Sequence, residues 1–240
     1  MEATYIAKAI VLKSEPWREF DSRVVFYTKE YGKLDLVARG TKRIGSKLAG
    51  HLEPFNLIDL MVINGRSKSY AGGASNVDCF LELKQDLAKI ESAGKVINWF
   101  DQNFQIGETD QQAFYLLENF LNLLNQVKSE PIYYHLLASI IILKLMVILG
   151  QGPNLDTCLI CQKDISNQGL RFDLIGNGVV CLSCQPKRNQ LTMDLSVDCV
   201  HKLKMIMSHQ FDQVIKNLKI NHLIANEINL AVNNLIKSFG

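Results

Sequence analysis

Cys158-Leu159-Ile160-Cys161, nineteen further residues, then Cys181-Leu182-Ser183-Cys184: this stretch decides how the second half of the chain is organised. Each Cys-x-x-Cys turn aims two thiolates at one point, and two such turns complete a tetrahedron around one ion. Zn²⁺ favours that closed four-sulfur shell, and the spacing fits a ribbon-type structural site. Gly152-Pro153 and Asn154 lead in, while Gly176-Asn177-Gly178 permits the reversal that brings the pairs together. Two readings compete. Disulfides need an oxidising compartment, and the N-terminus does not read as a signal peptide. An iron–sulfur cluster also uses four cysteines, but the ferredoxin spacing is missing. Four protein thiolates leave no open position for water, so the expected cofactor is one structural Zn²⁺ on Cys158, Cys161, Cys181 and Cys184. Cys79 and Cys199 read as small buried apolar residues.

Outward from the cysteines the pattern is helical. Leu136 to Gly150 reads LLASIIILKLMVILG, short of the ~20 residues a membrane span needs and interrupted by Lys144. A buried helix opened by Pro131 is expected, with no membrane partner. Before it, Phe114, Leu117, Leu121 and Leu124 recur at helical spacing. After the cysteines, Val197, Val200, Leu203, Met207, Phe211 and Val214 predict one helix, and Ile224, Ile228, Ala231 and Leu235 a last one.

The first eighty residues read differently. Runs at 3–13 and 23–28 are rich in β-branched and aromatic residues, and Tyr31-Gly32 turns into a third run at 33–38. Leu57 to Ile63 meets Asn64-Gly65, a hairpin signal, and Arg66 to Tyr70 returns as a fifth strand. Five short strands suggest a small closed barrel. The OB-fold has this strand count, although an SH3-like barrel or a sandwich fragment fits nearly as well.

With 48% hydrophobic and 21% charged residues the composition is that of an ordinary globular protein. The net charge of +2 divides unevenly. Residues 1–80 hold twelve Lys/Arg against nine Asp/Glu, and from Lys33 to Lys47 five basic residues face only Asp35. That asymmetry points to a polyanion partner. Lys33, Arg39, Lys42, Arg43 and Lys47, with Arg66 and Lys68 past the hairpin, suit a flexible basic arm that tracks a phosphate backbone. Tyr27, Tyr31 and Tyr70 offer stacking faces. The plain alternative is a solvated loop.

Gly40-Thr41-Lys42-Arg43-Ile44-Gly45-Ser46-Lys47 resembles a phosphate-binding P-loop, but its Lys and Ser are transposed and Pro54 interrupts the helix that should follow. No nucleotide is expected. The five histidines are dispersed, with no metalloprotease or nucleophile-elbow motif, so an enzyme is not expected.

The order of parts resembles the bacterial DNA repair protein RecO family. The resemblance rests on Ala9 to Lys13, Phe20-Asp21, Val24 to Thr28, Tyr31 to Leu34, Val37 to Arg43, Ser46-Lys47 and Leu52 to Phe55. It continues through Leu143 to Gly150, Pro153 to Asp156, and Cys158 to Cys184 with Phe172 between the pairs. The chain departs from the family at Gln162, where Gly is usual, and at Asn177, which interrupts a usual Gly-Gly. The resemblance implies an N-terminal OB-fold and a helical domain with the zinc module. It implies binding of single- and double-stranded DNA, strand annealing, and work with RecR and the single-strand DNA-binding protein (SSB) in loading RecA. It also implies DNA contacts at Lys33, Arg39, Lys42, Arg43 and Lys47.

The expected architecture is therefore α+β, with an OB barrel at 1–80 and a helical domain at 81–240 enclosing the module at about 155–186. The expected function is DNA repair and recombination mediation in the bacterial cytoplasm, nucleoid-associated when acting. Two rivals stand beside it: a zinc-ribbon enzyme that processes nucleic acid, and a structural adaptor without DNA affinity.

Overall fold

Period-2 patterning in the first eighty residues closes into a five-stranded barrel. The computed structural model describes residues 3–66, 68–165, 170–184, 192–217 and 219–238. Its strands are β1 (Ala3–Trp17), β2 (Asp21–Thr28), β3 (Gly32–Ala38), β4 (Leu57–Asn64) and β5 (Ser69–Asp78), with a short 3-10 turn at Ala49–Leu52. They run β1-β2-β3-β5-β4 and back to β1; all neighbours are antiparallel except β3 and β5. That order, with its parallel closure, is the Greek-key barrel of the OB type.

β1 makes closure possible. Ala3 to Ile10 pair with β4, and Ala9 to Trp17 pair with β2. Between Val11 and Lys13 the register against β2 shifts, leaving Leu12 as an extra residue. A bulge of this kind bends a strand and raises its twist, which lets one strand serve two sides of a barrel. Val11, Val24, Phe26, Leu36, Ile58 and Leu60 fill the interior.

β5 is the strand the sequence hid. It begins at Ser69, not Arg66, and runs on through Gly72, Gly73, Ser75 and Asn76, residues of poor strand propensity. Gly72 is the extra residue of a second bulge, and a Cβ there would come within 2.4 Å of Ile63 Cδ1. The hairpin at Asn64-Gly65 forms, but as the loop from Gly65 to Lys68, closed by the Gly65 N–H donating to the Lys68 carbonyl at 3.1 Å. Arg66 and Lys68 therefore sit in a turn and not on a strand.

Strands then give way to α1 (Leu81–Lys84), α2 (Leu87–Asn103) and α3 (Gln111–Gln126). Asp86 and Asp110 cap the latter two by accepting backbone N–H groups. These helices lie against the barrel. Alternation points Phe26 inward, so Tyr27 points outward and meets Phe100, Phe104 and Phe114. The Tyr27 hydroxyl accepts from the Asp110 N–H at 2.9 Å. Burial pushes its pKa up to about 12. Tyr27 is thus core, not a stacking face. By compactness the chain divides into Met1–Lys128, which holds the barrel and α1–α3, and Ser129–Gly240.

Of the glycines in the first unit, Gly32 has the least room for a side chain. Its φ is +65°, and a Cβ would lie 2.1 Å from the Glu108 carbonyl oxygen. The α2–α3 connection passes directly over it, with the Gly107 N–H donating to the Lys33 carbonyl at 2.8 Å. Both the backbone conformation and the close approach demand glycine. Gly32→Ala is expected to destabilise the first unit by about 2 kcal/mol, read as an earlier denaturant midpoint with unchanged slope.

In the second unit α4 (Pro131–Ile148) opens with proline at its first turn and ends just before Gly150, whose φ is +70°. It is long and apolar enough to cross a membrane by length and composition. Here Ile140 to Leu143, Leu145 and Met146 are buried, which makes it the core helix of its unit. Lys144 escapes the apolar run by donating to the His209 carbonyl, and its burial lowers its pKa. Three strands follow, β6 (Leu170–Asp173), β7 (Gly178–Cys181) and β8 (Thr192–Leu195), ordered β7-β6-β8. The single helix expected over 197–214 is two, α5 (Val197–Ser208) and α6 (Phe211–Asn217). They part at His209, which is extended and lends its carbonyl to Lys144. α7 (His222–Ser238) packs against α4.

Candidate metal centre and nucleic-acid interface

The first cysteine pair sits on a turn between Asn154 and Lys163, and the second begins at the last residue of β7. The Cys158 N–H donates to the Lys163 carbonyl at 3.0 Å, and the Gln162 N–H returns to the Cys158 carbonyl at 2.9 Å. The Leu159 N–H reaches the Val179 carbonyl at 3.0 Å, which fastens this turn to β7. Reversal between β6 and β7 is made by Asp173, which accepts from the Ile175 and Gly176 N–H groups. Gln162 and Asn177 take φ of +58° and +51°, the left-handed conformation that glycine adopts without strain. Both departures from the family pattern thus keep a glycine-like backbone.

The four sulfur atoms lie within 4.8 Å of one another. Cys161 Sγ and Cys181 Sγ are 3.9 Å apart, close to the ~3.8 Å edge of a tetrahedron with 2.3 Å metal–sulfur bonds. Burial pushes the Cys158 thiol up, but N–H groups of Cys161, Cys181 and Ile160 outweigh this and hold it down at about 6. The Ser183 hydroxyl lowers Cys181, whereas the hydrogen bond to Cys181 pushes Cys184 up to about 12. Four thiols this close do not all ionise unaided, and a dication supplies the missing charge. The donor set fits a metal ion of thiolate preference. Of the other cysteines, Cys199 is buried as expected, with burial raising its pKa strongly. Cys79 is only half-buried, beside the Asn76 amide at 2.8 Å.

Several exposed basic residues of the first unit lie around one mouth of the barrel. Register fixes this: Trp17 pairs with Asp21, Ser22 with Ala38, Ala38 with Ala71, and Asn64 with Ser69. The β1–β2 turn, the loop after β3 and the β4–β5 turn therefore open side by side. Arg18, Arg39, Lys42, Arg43, Arg66 and Lys68 are exposed on these three connections, and Lys47 is exposed further along the loop after β3.

The start of the loop after β3 is tied back to the β1–β2 turn. The Lys42 N–H donates to the Phe20 carbonyl at 3.0 Å, and the Gly40 N–H to Asp21 Oδ1 at 2.9 Å. Thr41 is buried, its hydroxyl paired with that of Ser22 at 2.7 Å. Arg39 lies over the Tyr70 ring and Arg43 over the Phe20 ring. Phe20 was not legible as part of this site, because its partner is twenty-three residues away. Tyr31 is exposed but packs on Tyr5, with ring centroids 4.2 Å apart.

Lys33 lies elsewhere. Its side chain is 12% exposed and ion-paired with Asp101 at 2.6 Å, and its ammonium also donates to the Phe104 carbonyl at 3.1 Å. It joins β3 to α2, beside a cavity of about 240 Å³ lined by Lys13, Glu15, Arg23, Asp35 and Asp101. Lys13 pairs with Glu15 at 2.7 Å and Arg23 with Asp35, so the charges on this outer barrel face largely neutralise one another.

Fold and sites together define a class: an OB-barrel protein with an exposed basic mouth and a separate four-cysteine module set among helices. Comparison with known proteins narrows it. The family model for the recombination protein O N terminal matches residues 1–80, and that for the C terminal matches residues 85–237. This chain belongs to the recombination protein O (RecO) family. It is similar to the DNA repair protein RecO of Cutibacterium acnes, 31% identical over 76% of this chain and 75% of that one. It is 26% identical to the DNA repair protein RecO of Alkaliphilus metalliredigens over 92% and 88%. The DNA repair protein RecO of Thermoanaerobacter sp. is 25% identical over 96% and 90%.

Proposed function

We propose that this protein is a DNA repair and recombination mediator. It binds single- and double-stranded DNA, anneals complementary strands and, with RecR and SSB, assists loading of RecA. It works in the cytoplasm without breaking bonds and needs neither a nucleotide nor a membrane. The observation that carries this reading is the convergence of Arg39, Lys42, Arg43, Arg66 and Lys68, with Arg18, on one barrel mouth, with Lys47 exposed further along the same loop. Two polyanions anneal slowly because their backbones repel, and a mouth that screens phosphate on both strands relieves that repulsion. Lys33 is left out of this surface, since Asp101 already holds its charge. The cysteine module holds Zn²⁺ as a structural ion, since four thiolates fill its shell.

Duplex formation from complementary strands coated with cognate SSB tests the reading. The protein is expected to accelerate it without ATP. No acceleration over SSB alone, or a need for ATP hydrolysis, would overturn the mediator assignment.

A further inference from the structure

The barrel mouth carries apolar surface for which a purely phosphate-gripping site has no use. Phe20 is 43% exposed, and the Arg43 guanidinium carbon lies 5.5 Å from its ring centroid. Tyr70 is half-buried at the start of β5, with the Arg39 guanidinium carbon 4.7 Å from its centroid. Ile44, next to Arg43, is fully exposed. Hydrogen bonds from Lys42 to Phe20 and from Ser46 to Arg43 fix the loop, so these groups are presented in place. A guanidinium held over one ring keeps its other face for a second planar group and its N–H edge for phosphate. Backbone charge alone would be met by lysines without rings behind them.

We propose that the mouth stacks unpaired nucleobases on the Arg43–Phe20 and Arg39–Tyr70 pairs, with Ile44 in apolar contact with a base alongside. The inference rests on the DNA-binding reading above and deepens it, naming the ligand as base faces in addition to phosphates. Stacking occupies the π-face of a base and leaves its pairing edge open. A strand held in this way is ready to meet its complement, which backbone binding alone does not arrange.

Fluorescence anisotropy of the full-length protein would compare an oligothymidylate with a strand of equal length and charge whose central nucleotides are abasic. The wild type is expected to bind the base-bearing strand about tenfold more tightly. The Phe20→Ala/Tyr70→Ala variant is expected to bring that ratio close to one, losing far more affinity for the base-bearing strand than for the abasic one. Phe20→Trp is expected to keep the ratio. If the double variant melts early, Phe20→Ala alone, at an exposed position, carries the comparison with a partial loss. Equal wild-type affinity for the two strands would overturn stacking while leaving DNA binding intact. A ratio that survives in the variants would overturn these residues as its source, and absence of binding to either strand would overturn both readings.

Discussion

Protein purified without added metal is expected to carry one zinc ion per chain, and Cys184→Ser is expected to lose it together with the ordered module. Metal binding to a four-thiolate site of this size supplies on the order of 10 kcal/mol of folding free energy. Among the described residues the module's own core is small: β6 and β7 are four residues each, and the buried cluster at the site is Cys158, Val180 and Cys184 with Leu159, Ile160 and Ile165 packed against it. Removing one ligand leaves three thiolates without a closed shell and breaks the Cys184 N–H bond to the Cys181 carbonyl, 3.0 Å long, only if the turn itself opens. That opening is what hydrogen exchange would register. Amides of β6 and β7 should lose protection first, followed by β8, which pairs with β6. Elemental analysis should find near-equimolar zinc in the wild type. Iron, or metal-free protein with the cysteines oxidised to disulfides, would sink the assignment.

Replacing Arg39, Lys42 and Arg43 together by Ala is expected to weaken binding to single-stranded DNA about 100-fold at 0.1 M salt, roughly 3 kcal/mol. Each lost phosphate contact should lower the salt slope by about 0.7, so the triple variant should lower it by about 2. The loss should be much the same for every sequence, because neither phosphate contacts nor stacking on a base face reads base identity. Stability should change little: all three side chains are exposed, and the loop is held by its backbone and by Thr41, which the variant keeps. An unchanged slope would reduce this mouth to a solvated polar surface. By contrast, Lys33→Ala should leave the slope unaltered and lower stability, since it removes the ion pair with Asp101 between β3 and α2.

The contrast between Lys33 and Arg43 shows where reading a sequence stops. Local chemistry was legible. The two Cys-x-x-Cys turns name their own ligands because each pair is set by four consecutive residues, and the structure brings all four sulfur atoms together. The barrel was legible in β1, β2 and β4 from β-branched and aromatic residues and in β3 from the alternation of Leu34 and Leu36, and α4 was announced by Pro131 at its start and Gly150 at its end. What depends on partners distant in the chain was not. Tyr27 and Tyr70 are equally aromatic, yet helices α2 and α3 bury the first, and the parallel pairing of β3 with β5 brings the second beneath Arg39. β5 was hidden because its two glycines weaken local strand propensity, while the bulge at Gly72 needs the missing side chain to clear Ile63. Lys33 reads as one more cation of the basic run until Asp101, sixty-eight residues on, takes its charge. Sequence fixes the kinds of groups available; only the closed barrel and its helices decide which of them face solvent with a charge to spare, because burial and pairing are set by contacts that no local pattern encodes.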